Sequence, residues 1–316
     1  MHDRDAKRYS VKGLCRLFGF SAQAYHKRRR SCSRKADGCL QTAGILEFCR
    51  AERSLDPRIG CRKLWAIYNS EFDHVGRRVF ESVLSDNGLC VRTARRRTRT
   101  TDSRHKLPVY PNLVYRTVPE RPCQVWVADI TYIRLNNPDG STRFCYLSIV
   151  MDAYSRYILG HYVGTTLDTV YSLVALNIAL ETCHRLRLDT SRTIHHSDRG
   201  VQYASADYVG TLKANGIRIS MTESDNPTDN AQAERVNSTI KNELLYGLSF
   251  SDINGVANAL RDRIDYYNTR RPHMSLGGST PAQALTRSGR IKKQWRSYRD
   301  EAINATELND ILTNNL

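Results

Sequence analysis

Across residues 11–26, Val-Lys-Gly-Leu-Cys-Arg-Leu-Phe-Gly-Phe-Ser-Ala-Gln-Ala-Tyr-His, apolar positions recur at helical spacing until Gly19 interrupts them, and Ser21 stands where it can cap a following helix. The pattern predicts a helix-turn-helix pair near 11–30. Residues 58–68 repeat it, with Leu64, Ile67 and Tyr68 on one face, and predict a second pair near 58–90. The second helix of that pair should run from about Gly76 to Leu84, with Arg77 and Arg78 near its start. Residues 92–104 are too polar to pack, and with the Pro-containing stretch that follows they predict a basic linker over 91–118.

From Gln124 the period changes. Val125-Trp-Val-Ala-Asp-Ile-Thr-Tyr-Ile is β-branched and aromatic, Asn136-Asn-Pro-Asp-Gly is turn chemistry, and Phe144 to Met151 resumes a buried strand, so an antiparallel hairpin is predicted. A third strand (157–163), a long helix (167–186), a short strand (193–196), a helix (206–215), a strand (217–221) and a helix from about Ala231 follow. This order predicts an α/β fold: a mixed five-stranded sheet flanked by helices, behind an N-terminal all-α region. The expected organisation is a basic helical region over 1–105, a core over 119–286 and a tail over 287–316.

A length of 316 residues suits about two domains, and no apolar run approaches the roughly 18 residues of a membrane span. The charged N-terminus is unlike a secretory signal, so a cytoplasmic protein is expected. Nine scattered cysteines without paired His or Cys spacing are expected to be thiols, most of them buried. Charge is the first functional clue. The net +16 is concentrated in residues 1–120, which hold 26 Lys/Arg and 12 Asp/Glu against 22 and 20 in the remainder. One end is suited to a polyanion, and Arg77, Arg78, Arg95, Arg96 and Arg97 are its candidate phosphate contacts.

Three acidic residues stand where a carboxylate is costly unless it binds something. Asp129 interrupts the most apolar strand, Asp198 falls just past the end of a predicted strand, and Glu234 lies in the first turn of a predicted helix, with 35 residues between it and Asp198. Lys241 follows seven residues later, two helical turns along the same face. Carboxylates without a His or Cys cluster suit a hard cation such as Mg²⁺, and two such ions can act on a phosphodiester.

Trp126-Val-Ala-Asp-Ile-Thr-Tyr-Ile, His196-Ser-Asp-Arg-Gly-Val-Gln-Tyr-Ala-Ser and Asp229-Asn-Ala-Gln-Ala-Glu-Arg-Val-Asn-Ser-Thr-Ile-Lys-Asn-Glu resemble the catalytic blocks of bacterial insertion-sequence transposases with a DDE integrase core. Tyr266-Tyr-Asn-Thr-Arg-Arg-Pro-His and Thr280-Pro-Ala-Gln-Ala resemble their C-terminal motif, and the nearest group is the second-reading-frame protein of insertion-sequence family three. The resemblance implies an RNase H-like core in which Asp129, Asp198 and Glu234 are catalytic and ligate two Mg²⁺ or Mn²⁺ ions. It implies that Lys241 contacts DNA, and that Asn230 shapes the loop before its helix or touches DNA, a helix N-cap being the alternative. His196 would brace a strand end, Asn268, Arg271, Pro272 and His273 would position the last helices, and Asp152 and Asp229 would be turn and cap residues.

The implied partners are double-stranded DNA, as the element's terminal inverted repeats and as target, a second copy in a dimer or higher assembly, and an upstream-frame protein joined by frameshifting. A nucleoid-associated location follows from the same resemblance, and no membrane partner is implied. The chain departs from the family pattern at Ser224-Asp225-Asn226-Pro227, where Gly is usual, and at Arg235, where Ser is common. A retroviral-type integrase, against which the absent His-His-Cys-Cys zinc pattern argues, a nuclease without strand transfer and a DNA-binding regulator are the alternative readings.

Overall fold

Asn137 N donates to Ser141 O at 2.9 Å and Gly140 takes φ 82°, so the Asn-Asn-Pro-Asp-Gly segment closes the hairpin as its residue types require. In this computed structural model, which describes residues 10–91, 108–115, 117–223 and 230–291, that hairpin founds the sheet. Strands β1 (Val125–Asn136) and β2 (Thr142–Asp152) pair antiparallel in unbroken register from Trp126 opposite Asp152 to Asn136 opposite Thr142. Strand β3 (Ile158–Gly164) lies antiparallel on the far side of β2. Asp152 builds the connection, its buried carboxylate accepting from Cys123 N at 2.9 Å and Ser155 N at 2.8 Å.

Beyond β1 the sheet turns parallel. Strand β4 (Ile194–Ser197) pairs with β1, and β5 (Arg218–Met221) with β4, giving the order β3-β2-β1-β4-β5. On β1, Val125, Val127, Ile133 and Leu135 enter one apolar cluster and Trp126 and Ala128 another, so the first half of the strand is buried on both faces, while Tyr132 and Arg134 leave one face of its second half exposed. Helix α5 (Thr169–Arg185) covers the second face and approaches β3 at Gly160, where an added Cβ would sit 2.1 Å from the carbonyl oxygen of Ala175. Gly160→Ala should therefore force helix and strand apart and lower the urea midpoint by the equivalent of about 1–3 kcal/mol.

Helix α1 (Val11–Leu17) and helix α2 (Ala22–Leu55) are joined as predicted, with Gly19 at φ 73° and Ser21 Oγ accepting from Ala24 N at 3.0 Å. The second helix does not stop near residue 30, however, but continues for 34 residues. Nothing between 22 and 55 ends it, because the first proline after its start is Pro57. Helices α3 (Cys61–Glu71) and α4 (Arg77–Asp86) pack on its C-terminal half through Phe48, Leu64, Tyr68, Phe80 and Leu84. Arg95, Arg96 and Arg97, with most of the basic linker, lie outside the described residues.

This helical region shares one apolar cluster with the core rather than standing apart from it. The joint is helix α9 (Ile253–Thr269), an element the sequence pattern did not reveal. Tyr266 Oη donates to Glu52 at 2.7 Å, and Arg270 pairs with Glu52 at 2.6 Å and Glu71 at 2.5 Å. Arg271, 1% exposed, pairs with Asp56, 0% exposed, and with Glu243. Asn268 clasps β3 by accepting from Ile158 N at 2.9 Å and donating to Ile158 O at 3.0 Å, and His273 packs edge-on against Tyr267. Among the described residues eight cysteines are free thiols, five of them buried, and no helix is long and apolar enough to cross a membrane.

Candidate active site

The site forms where the antiparallel and parallel halves of the sheet meet. Asp129 lies mid-strand on β1, on the face that also buries Val125 and Val127, and Asp198 follows directly on β4, the strand paired beside β1. Helix α8 (Ala231–Thr239) runs over that face and brings Glu234 in its first turn. Helix α6 (Val201–Ala204) and helix α7 (Ala206–Ala214) stand between β4 and β5 on the opposite side.

Asp129 is held at both oxygens. Oδ1 accepts from Ile130 N at 2.9 Å and Oδ2 from Asn237 Nδ2 at 2.8 Å. Burial first, and the Asp198 carboxylate second, push Asp129 up to about 7, and Glu234 adds to the rise while the two donors oppose it. Asp198 and Glu234 therefore both lie close enough to act on Asp129. Asp198 Oδ1 accepts from Gly200 N at 3.0 Å, an approach so close that a Cβ at Gly200 would lie 3.0 Å from the same oxygen. Arg199 ties the loop to the end of β5 through Nε to Thr222 O at 2.7 Å.

His196 is buried and its Nδ1 stands 2.9 Å from Ser220 Oγ on β5, a strand-bracing contact. Asn230 occupies the N-cap position of α8 but makes no side-chain cap; its buried amide donates to Ala128 O at 3.1 Å and fastens the helix start to β1. After α8 the helix widens into a π turn, Ile240–Leu244. Lys241 lies in it, half-buried, with Nζ 3.9 Å from the centre of the Tyr132 ring. Burial lowers its affinity for a proton while Asp129 raises it, which places its charge within reach of the carboxylates. Arg77 and Arg78 are exposed on α4, and Arg77 pairs with Glu81 at 2.7 Å.

Asn237 and Tyr203 were not singled out from the sequence. The first is legible in hindsight, three residues after Glu234 and so on the same helix face. Tyr203 is buried with a hydroxyl that has no partner among the described atoms, and both Asp129 and Asp198 act on it. The donor set is all oxygen. Among the described residues no three His, Cys, Asp or Glu side chains close on one point. Asp198 nonetheless raises the proton affinity of Asp129, a repulsion that a bound hard divalent cation would relieve.

Two overlapping stretches, residues 119–227 and 215–281, match the integrase core domain. The chain is 30% identical to the transposase for insertion sequence element IS629 of Shigella sonnei over 290 residues, which cover 89% of this chain and 93% of that one. The chain belongs to the insertion-sequence transposases with an integrase core. The transposase is also 27% identical to the transposase for insertion sequence IS3A of Escherichia coli K12, over 87% of its own length and 93% of that protein's. The HTLV-2 integrase catalytic core domain, solved in complex with magnesium, is similar at 17% identity and a TM-score of 0.39, over 52% of this chain and 97% of that one. The transposase is thus a DDE-type polynucleotidyl transferase with an RNase H-like core.

Proposed function

We propose that the transposase binds the terminal inverted repeats of its element and both cuts and joins DNA strands at Asp129, Asp198 and Glu234. The observation that carries this reading is that Asp198 and Glu234, delivered from the end of β4 and from α8, both act on the buried Asp129 carboxylate of β1 at one face of the sheet. Bound there, two Mg²⁺ or Mn²⁺ ions supply Lewis-acid stabilisation of charge on the reacting phosphodiester. Asn237 and Ile130 N fix the Asp129 carboxylate in one orientation, and Gly200 N does the same for Asp198. Lys241 faces the DNA backbone from the rim and offsets phosphate charge. Hydrolysis breaks one P–O bond and leaves a 3′-OH; that hydroxyl then attacks a second phosphodiester, one P–O bond forming as another breaks. Two element ends must be held for joining, so the working complex contains at least two protomers.

Labelled DNA carrying the element's own ends tests the proposal, with Mg²⁺ or Mn²⁺ and with Asp198→Asn and Glu234→Gln beside the unsubstituted chain. Joined product that each substitution abolishes, with end binding intact and a native mass of two or more protomers, is the expected result. Cutting without joining would leave a nuclease, and metal-indifferent binding without cutting a regulator. A one-protomer end complex would overturn the assembly.

A further inference from the structure

Helix α2 behaves differently along its length. Its C-terminal part buries Ile45, Phe48 and Cys49 against α3 and α4, whereas every side chain from Gln23 to Arg30 is exposed and between 38 and 44 only Thr42 is partly covered. A helix that leaves the body of a protein without an apolar stripe is a spacer between two units.

The unit at its free end consists of α1 and the first turns of α2. Leu14, Leu17, Phe18, Phe20 and Tyr25 are 40–77% exposed there. Residues 10–30 hold six Lys/Arg and no Asp or Glu. A second copy of so basic a surface is repelled, and a polyanion with stacked, partly apolar grooves is its electrostatic complement. The unit at the other end, α3 and α4, exposes Arg77, Arg78, Val79 and Ser82 on its second helix. Both units have the helix-turn-helix arrangement, in which the start of the second helix meets the major groove. Tyr25, at the start of α2, and Cys49, where α3 and α4 pack, are separated by about 36 Å at helical rise, which is about one turn of duplex DNA.

We propose that α2 is a ruler, setting two DNA-reading units of one protomer one duplex turn apart, so that each element end holds two separately read blocks with centres about 10 bp apart. This inference rests on the end-binding function proposed above. The rigid separation follows from a continuous helix, since bending it out of register requires breaking hydrogen bonds at several consecutive turns.

Methylation interference with the full chain, on a duplex taken from the element's own end, tests it. Two interference blocks about 10 bp apart are expected. Arg28→Ser, Arg29→Ser and Arg30→Ser together should erase one block, and Arg77→Ser with Arg78→Ser the other. Deletion of residues 31–37 removes two helical turns, about 10 Å, while nearly preserving helical phase; this is roughly a third of a duplex turn, so the outer unit no longer faces the major groove and its block should be lost while the inner one stays. A single uninterrupted block, or an outer block that ignores both the charge removals and the deletion, overturns the ruler while leaving end binding intact. Absence of any sequence-specific pattern overturns the end-binding function and the ruler with it.

Discussion

Asp129→Asn should reduce strand cutting and joining by about a thousandfold or more, while melting no lower than the unsubstituted chain in metal-free buffer. The loss follows from removing an anionic oxygen from a site whose donors are all carboxylates. The retained stability follows from the same carboxylate's surroundings. Its folded value, about 7, lies above the ordinary 3.8, so the folded chain holds that proton more tightly than the unfolded chain does. In the absence of metal this contribution to stability is fully present below about pH 4 and is lost as pH rises through about 7. The amide has no such slope. At neutral pH the difference is on the order of a few kcal/mol at most. Thermal melts across pH in EDTA check the sign, and added Mg²⁺ should raise the melting temperature of the unsubstituted chain but scarcely that of the variant. A variant that still joins DNA ends would remove Asp129 from the catalytic set.

Arg271→Met should be the most destabilising single change at the joint between helical region and core, by about 3–5 kcal/mol in urea unfolding. Arg271 and Asp56 are 1% and 0% exposed, so the substitution strands a buried carboxylate beside a second acid, Glu243. Adding Asp56→Leu should recover much of the loss, because replacing a whole buried pair by apolar groups is far cheaper than breaking it. Hydrogen exchange should show α2, α3 and α4 loosening before the sheet does in the single variant, since Glu52 and Glu71 are anchored from the same segment by Arg270. Equal stability of single variant and unsubstituted chain would show that the ion pairs add nothing to the apolar contacts around them.

The strands and their turns were legible because the chemistry is local. β-branched runs, Asn-Pro-Asp-Gly and the Ser21 cap each determine a few neighbouring residues, and the elements lie within a few positions of where those signals fall. The true extent of α2 was not legible, because residues 22–44 carry no regular apolar period to read and only the distant Pro57 ends the helix. Helix α9 was hidden by its narrow stripe, Val256, Leu260 and Ile264, set among Arg261, Asp262, Arg263 and Asp265. The carboxylates could be picked out one by one as misplaced charges, but their meeting depends on β4 lying parallel beside β1. No residue in either strand states that adjacency. Likewise Asn230 occupies a cap position, yet spends its side chain on Ala128, a contact made 102 residues away.

The clasp at Arg270 and Arg271 also sets an order of events during synthesis. Glu52 and Asp56 leave the ribosome early, and the guanidinium groups that neutralise them follow more than two hundred residues later. Until then the helical region has two acids without the partners they have in the finished chain, so it reaches its final rigidity only after almost the whole catalytic core has been made. A growing chain therefore holds a basic, loosely seated helical region while its chemistry is still incomplete, and the last described helices lock the two together.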